Sequence, residues 1–356
     1  MGNLYTKMKI FHYKEKLNSL GREDDEIKSP IHIRIKPTNV CNHNCWYCAY
    51  RAAHMQLGQG MVVRDMIPRE KMIEIIDDLS EMAVKAVTFS GGGEPLVYPH
   101  LAEAVKKLAE LNISFATLTN GARLSGEIAE LFAHKGTWVR ISMDGWDDKS
   151  YMQYRGCGDG EYTKIIKNIE NFKKMNGKCL LGINLILDQD NAEHVSHQLK
   201  FFKSLGVNSV KVGAAIVSND SLESNEYHKP FFSETKKRIA QAKETLEDAS
   251  FEIFDAYHEL EDNFDKDYSW CPYLQILPVI GADLNIYPCQ DKAYNLKKGL
   301  IGSIKNQRFK DFWFSNKDNY FKIVPSRDCK HHCVANIKNT LILEYLEADK
   351  GHLGFV

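Results

Sequence analysis

Short runs of β-branched residues alternate with longer amphipathic stretches over residues 31–213. Residues 31–35 alternate apolar and polar side chains as a half-buried strand does, whereas residues 71–82 repeat apolar side chains at helical spacing. Six strands are predicted, beginning near residues 31, 86, 114, 139, 179 and 209. Strands that alternate with helices pair in parallel, so the pattern predicts an α/β fold with a parallel sheet, either open or closed into a barrel.

The alternation ends near residue 217, which sets the expected domain organisation. The next residues are polar with turn residues, and a charged helix is predicted over 234–247. Beyond residue 270 the chain is rich in turns and cysteines, with strand-like runs at 277–280 and 284–287. The predicted segments are an N-terminal extension (1–30), an α/β core (31–217), a helical linker (218–269) and a cysteine-rich region (270–356).

Composition and charge exclude several classes of protein. The 356 residues are 44% hydrophobic and 26% charged, which are globular rather than disordered values. Lys and Arg total 46 against 47 Asp and Glu, so no global positive field attracts nucleic acid or an anionic membrane. The sequence has no run of about 18 apolar residues and no secretory signal at its start. We therefore predict a cytoplasmic protein with no nucleic-acid or membrane partner.

Nine cysteines provide the most informative chemistry in the sequence, and their odd number argues against a full set of disulfides. Cys41, Cys45 and Cys48 form C-x3-C-x2-C directly after the first predicted strand. A four-iron cluster normally takes four protein ligands, so three thiolates leave one iron open to another ligand. The alternative is a zinc site, which requires a fourth ligand, and His43 is poorly placed in the loop to provide it.

At these residues the sequence resembles the radical S-adenosylmethionine (radical SAM) superfamily. Its signature is C-x3-C-x-aromatic-C, matched here with Tyr47 as the aromatic residue, and its GGEP motif is matched by residues 90–95 at the end of the second strand. Residues 119–121 and 141–145, after the third strand and around the end of the fourth, also resemble family positions. The resemblance implies a partial (β/α)6 barrel with a [4Fe–4S] cluster at the carboxyl ends of the strands.

The resemblance also implies roles for particular residues. Cys41, Cys45 and Cys48 would bind three irons, and the methionine part of S-adenosylmethionine would bind the fourth. The residues implied to contact S-adenosylmethionine are Tyr47, Gly91, Gly92, Gly93, Glu94, Ser142 and Arg155. Among them, Glu94 would hold the amino group and Arg155 the carboxylate, although Tyr47, Ser142 and Arg155 each have a packing or surface role as the alternative. A one-electron reductant such as flavodoxin or ferredoxin is an implied partner.

The later cysteines resemble a SPASM/twitch extension, which holds auxiliary iron–sulfur clusters. Cys271, Cys289, Cys329 and Cys333 are enough for one fully ligated auxiliary [4Fe–4S] cluster, or for a cluster with an open iron if one thiol points away. Two features depart from the family pattern. Leucine stands at position 284 where glycine is usual, and the last cysteine pair is spaced C-x3-C. The adjacent histidines at 331 and 332 leave a Cys/His zinc site as the alternative.

The predicted reaction follows from this resemblance. An auxiliary cluster that accepts an electron after hydrogen abstraction implies a two-electron dehydrogenation, and only 40 residues precede Cys41, which favours a small carbohydrate or aminocyclitol alcohol over a leader-bearing peptide. If Cys157 donates a hydrogen atom, the reaction becomes a redox-neutral epimerisation; otherwise Cys157 is an incidental loop residue. Modification of a ribosomal peptide or protein is the third possibility. A zinc-stabilised interaction protein is the alternative from another class.

The substrate itself is not predicted by any motif. Candidate residues at the mouth of the barrel are His32, Arg34, His54 and Asn184, each of which could equally be a packing or surface residue.

Overall fold

The computed structural model describes residues 4–23, 26–51, 58–260 and 263–355. His54 therefore lies outside the described residues. Seven strands pair in parallel in chain order: β1 (His32–Ile35), β2 (Ala86–Phe89), β3 (Ser114–Thr119), β4 (Trp138–Ser142), β5 (Leu180–Leu187), β6 (Ser209–Ala214) and β7 (Glu252–Asp255). Three shorter strands follow: β8 (Val279–Ile280), β9 (Asn285–Tyr287) and β10 (Gly302–Ser303). All ten form one sheet, in the order β10-β9-β8-β1-β2-β3-β4-β5-β6-β7.

Helices separate the strands of the core and continue into the C-terminal part. They are α1 (Lys14–Asn18), α2 (Arg69–Glu81), α3 (Leu101–Glu110), α4 (Gly126–Lys135), α5 (Asp148–Arg155), α6 (Glu161–Lys174), α7 (Val195–Ser204), α8 (Ser221–Leu246), α9 (Phe309–Ser315), α10 (Pro325–Asp328) and α11 (Asn336–Glu347). In α3 the buried residues Leu101, Ala104, Val105 and Leu108 recur every three or four positions, which puts one apolar stripe against the sheet. Within the described residues no helix is long and apolar enough to cross a membrane.

The predicted partial barrel is confirmed, and its sheet is not closed. The segment predicted as a helical linker contains more than a helix. Helix α8 begins at Ser221, well before the predicted start, and passes through Pro230. Strand β7 then adds a seventh parallel strand to β6, with Val210 opposite Ile253. The α/β alternation thus extends past residue 217, because the polar residues that read as a loop form the first turns of α8.

The cysteine-rich region joins the other edge of the barrel. Strand β8 pairs in parallel with β1, with Arg34 opposite Val279, and β8, β9 and β10 continue as antiparallel neighbours. Leu284, in the turn between β8 and β9, has φ +61°. This left-handed conformation costs a non-glycine residue about 1–2 kcal/mol, which gives a physical reason for the glycine usually found there. The pairing brings this region, with Cys289 just after β9, to the edge of the sheet formed by β1.

Candidate active site

The first cysteine loop lies at the carboxyl end of β1 and is held there by the end of α5. The amide of Asn44 donates to the carbonyl of Arg155 at 2.7 Å, and the amide of Trp46 donates to that of Tyr154 at 3.3 Å. Gly156 ends α5 with φ +52°, and a Cβ atom on it would lie 2.6 Å from the Asn44 carbonyl oxygen. The helix end therefore needs glycine to approach the loop this closely.

The glycine loop after β2 packs against the residues that precede Cys41. The amide of Gly93 donates to the Thr38 carbonyl at 3.1 Å, and the amide of Glu94 donates to the Val40 carbonyl at 2.9 Å. A Cβ atom on Gly93 would lie 2.1 Å from the Val40 oxygen, so a larger residue does not fit. The structure therefore brings the predicted glycine and cysteine motifs into direct contact.

Glu94 is buried at the start of the short helical turn that follows these glycines. Its carboxylate accepts hydrogen bonds from the Thr119 hydroxyl at 2.5 Å and from the amides of Asn120 and Leu96 at 2.7 and 3.0 Å. Burial raises the pKa of the Glu94 carboxyl, and these hydrogen bonds oppose that rise. The residues predicted to resemble a family motif after β3 thus fix the orientation of Glu94.

Arg155 forms a buried ion pair with Asp144, a residue that the sequence analysis did not single out. Asp144 also accepts a hydrogen bond from the Tyr47 hydroxyl and one from the amide of Ile186 at 2.9 Å. The other guanidinium nitrogen of Arg155 donates to the Cys45 sulfur at 3.5 Å. Burial by itself lowers the pKa of the Arg155 guanidinium, but the Asp144 carboxylate raises it well above its ordinary value. Two predicted cofactor contacts, Tyr47 and Arg155, therefore share one carboxylate.

Replacing Asp144 with asparagine is expected to lower the free energy of unfolding by about 3 kcal/mol, because Arg155 would keep its buried charge without a counter-charge. Urea unfolding followed by circular dichroism measures the loss. Asp159→Asn is the matched control: Asp159 is exposed, and its substitution is expected to change stability by less than about 0.5 kcal/mol. Equal unfolding midpoints for the two variants would contradict a structural role for the Asp144–Arg155 pair.

The remaining candidate residues occupy different surroundings. Ser142 is half-buried at the end of β4, and Cys157 is half-buried and close to Cys45, with burial raising the pKa of the Cys157 thiol. The His43 Nε2 atom lies 3.1 Å from the Glu161 carboxylate, so this imidazole contacts Glu161 rather than the three thiols. Cys179 is buried in the core.

The four later cysteines line one cavity, which also includes residues just after β9 and Asn339 of α11. Besides Cys271, Cys289, Cys329 and Cys333, its walls include Tyr268, Lys292, His331 and Asn339. Burial raises the pKa of the Cys271 thiol to about 11 and that of Cys289 well above its ordinary value; for Cys289 the nearby Asp291 and the other three thiols add to the rise. The four thiols are therefore close enough to act on one another electrostatically.

Buried polar groups around this cavity test whether it fits an iron–sulfur cluster. Both ring nitrogens of His331 lack a hydrogen-bond partner, although the side chain is only 2% exposed. The ammonium groups of Lys266 and Lys292 are buried nearby and donate to backbone carbonyls. Four thiols, two cations and an unpartnered imidazole suit an anionic thiolate-bound cluster. Among the described residues, no group of three His, Cys, Asp or Glu side chains is arranged to hold a single metal ion.

The fold and the first cysteine loop define a class of enzyme. Residues 35–197 match the family model of the radical SAM superfamily. Two solved structures share the fold: SuiB from Streptococcus suis bound to its precursor peptide SuiA (TM-score 0.60, 16% identity, covering 88% of this chain and 71% of SuiB), and anSMEcpe with bound AdoMet (TM-score 0.57, 20% identity, covering 85% and 89%). Residues 35–197 therefore form a radical SAM domain, and members of this superfamily use a [4Fe–4S] cluster and S-adenosylmethionine.

The curated sequence relatives include proteins named for particular enzyme activities. A probable GTP 3',8-cyclase from Methanosarcina mazei is 31% identical over 182 residues, which are 47% of this chain and 53% of that protein. The aligned segments span about half the length of the curated relatives that the chain matches. Because the matches cover only part of each protein, the relatives leave the particular reaction open.

Proposed function

We propose that this chain dehydrogenates an alcohol group of a small carbohydrate-like molecule in a two-electron oxidation. The observation that carries the proposal is the cavity lined by Cys271, Cys289, Cys329 and Cys333, because a second cluster there would accept the electron that remains after hydrogen abstraction. When bound, the first cluster and S-adenosylmethionine supply a 5′-deoxyadenosyl radical that removes a hydrogen atom from the substrate.

The residues of this chain would hold and orient these groups. Cys41, Cys45 and Cys48 would ligate three irons, and the donor set fits because all three thiols lie on one loop at the barrel mouth. Gly91, Gly92 and Gly93 would let the loop backbone pack tightly beside the methionyl part, since Cβ atoms on them would lie within about 2.2 Å of the protein's own backbone or side-chain atoms. In this proposal the oriented Glu94 would accept from the methionyl amino group.

The Asp144 interactions refine the proposed contacts on the other side of the loop. Arg155 would keep its ion pair with Asp144 and present its remaining N–H groups toward Cys45 and the methionyl carboxylate, because its Nε atom has no partner. Tyr47, whose hydroxyl is bound to Asp144, would lie near the adenine, and Ser142 would contact the methionyl or ribose part. An external one-electron donor such as flavodoxin or ferredoxin would supply the reducing electron.

The second candidate is redox-neutral epimerisation with Cys157 as the hydrogen donor. The observation that favours it is that Cys157 is half-buried and close to Cys45, near the first cysteine loop. Burial raises the pKa of its thiol, which favours the protonated form that a hydrogen-atom donor needs.

Product mass separates the two reactions. Candidate alcohols are incubated with reconstituted enzyme, S-adenosylmethionine and reductant in deuterated water, and products are analysed by mass spectrometry. Dehydrogenation is expected to give a product two hydrogens lighter for each 5′-deoxyadenosine formed, and Cys157→Ala is expected to retain it. A product of unchanged formula that carries one deuterium, lost in Cys157→Ala, would instead establish epimerisation. Modification of the short peptides encoded beside the gene, with no small-molecule product, would contradict both.

A further inference from the structure

Four cations share the inner face of the barrel and form what we call the inner-face cluster: Arg34, Arg140, Lys211 and Lys338. Arg34, Arg140 and Lys211 alternate along β1, β4 and β6 with core residues such as Ile33, so their side chains leave the sheet on the side opposite the apolar core. Lys338 reaches the same space from α11. The other three cations all lie within electrostatic range of Lys211.

The contacts of the cluster are aromatic rather than acidic. Arg140 lies 5.1 Å from the Tyr5 ring centroid and donates to the Tyr5 hydroxyl at 3.0 Å, Lys211 lies 5.7 Å from that of Phe254, and Lys338 lies 5.1 Å from that of Tyr273. Within the described part of the chain, none of the four cations makes an ion pair with a carboxylate.

Nearby carboxylates are either engaged elsewhere or too few to balance the charge. Glu259, which lies near Lys211, is paired with Lys7 at 2.6 Å, and Asp291 lies near Arg34. Burial, together with the positive charges of the other three members, lowers the pKa of Lys211 to about 8. Concentrating like charges in a confined space costs stability unless an anion joins them, and such clefts attract anions.

The position of the cluster connects it to both cysteine groups. Lys36 follows directly after β1, two residues after Arg34, and lies within electrostatic range of Arg34, of Asp291 and of the thiols of Cys48 and Cys289. The other side is covered by the N-terminal segment: Tyr5 stacks on Phe254 with ring centroids 4.5 Å apart. An anion held by the inner-face cluster would therefore lie near Lys36, which is within electrostatic range of both cysteine groups.

We propose that the inner-face cluster binds a phosphate group of the substrate, so that the alcohol is part of a phosphorylated small molecule. A phosphate has several terminal oxygens that accept from different directions, which suits two guanidinium and two ammonium groups that converge from three strands and a helix. The proposal rests on the proposed function, which supplies the alcohol, and adds that the substrate molecule is an anion. It disfavours a cationic aminocyclitol, which the cluster would repel.

Binding of glucose 6-phosphate, with glucose as the uncharged counterpart, tests the proposal on the reconstituted enzyme without reductant. Isothermal titration calorimetry is expected to show saturable binding of the phosphate ester and much weaker binding of glucose. Arg140→Gln and Lys211→Gln are each expected to weaken binding of the phosphate ester at least about tenfold. Arg140→Lys, which keeps the charge, is expected to recover part of the affinity. The matched control, Lys200→Gln on the exposed face of α7, is expected to bind as the wild type does.

Three results would overturn the proposal: no binding of glucose 6-phosphate to the wild type, equal binding of glucose, or equal losses in Lys200→Gln and the cluster variants. If the cluster variants changed the reduction potential of the later cysteine site but not the affinity for the phosphate ester, the cations would serve that site instead. Iron content and melting temperature check that each variant folds. If the variants do not fold, the melting temperature of the wild type decides. Glucose 6-phosphate is then expected to raise it more than sodium chloride does at equal ionic strength, and equal effects would overturn the proposal. Binding is measured without turnover, so its failure is separable from failure of the dehydrogenation.

Discussion

Simultaneous replacement of Cys41, Cys45 and Cys48 with alanine is expected to lower the iron content from about eight to about four atoms per chain and to abolish formation of 5′-deoxyadenosine. The three thiols are on one loop that is fixed by the end of α5 and by the glycine loop, and the single nearby thiol of Cys157 cannot replace three ligands. Iron, sulfide and zinc per chain after anaerobic reconstitution, together with chromatographic detection of 5′-deoxyadenosine, measure both effects.

Cys179→Ala is the matched control for this triple variant. Cys179 is a buried thiol in the core, so its loss is expected to leave the iron content and S-adenosylmethionine cleavage at wild-type values. A colourless wild-type protein that contains zinc and cleaves no S-adenosylmethionine would contradict the enzyme and support a zinc-stabilised interaction protein. About four irons in the wild type and none in the triple variant would mean that the later cysteines hold no cluster.

Local patterns were enough to predict most of the barrel core. Each strand from β1 to β6 is a short β-branched run next to an amphipathic helix, and both signals depend on neighbouring residues only. The first cysteine loop and the glycine loop are also short motifs, and their contact follows from their place after adjacent parallel strands, β1 and β2. The core of the candidate site was therefore predictable from spacing.

Features that depend on distant pairing were not predictable in the same way. Strand β8 has only two residues, and its parallel partner β1 lies more than 240 residues earlier in the chain, so no local pattern indicates this pair. Strand β7 was missed because the polar start of α8, which includes Pro230, has the composition of a loop. Long-range pairing, rather than propensity, decides both.

Charged residues of the interior were missed for a related reason. Asp144 follows a strand within a segment that resembles the family, but only the fold shows that it meets Tyr47 and Arg155. Arg140 and Lys211 look like polar positions of half-exposed strands, and the curvature of the sheet turns their face inward. An alternation pattern reports which residues share a face, whereas tertiary structure decides what that face encloses.

Combined replacement of Cys289 and Cys333 with alanine is expected to remove about four irons and to stop alcohol oxidation while S-adenosylmethionine is still cleaved. The two thiols line the cavity of the four later cysteines. The residues that line this cavity lie outside the 35–197 superfamily match, so the first cysteine loop keeps its own contacts. Electron paramagnetic resonance of the reduced protein is expected to lose one of two cluster signals. Mass spectrometry of the product and 5′-deoxyadenosine analysis measure the separation of cleavage from oxidation.

The control for this variant is Cys157→Ala. Cys157 does not line the cavity of the later cysteines, so this variant is expected to keep both cluster signals and the oxidised product. The comparison is decisive because the two proposed reactions need different thiols. Dehydrogenation releases a proton and leaves a second electron that must pass to an acceptor, so it needs the later cysteines. Epimerisation instead takes a hydrogen atom from the Cys157 thiol, and the resulting thiyl radical is restored by a proton and an electron from the external donor. Full product formation by the Cys289/Cys333 variant would show that no electron passes through the later cysteine site. That result would contradict the proposed dehydrogenation.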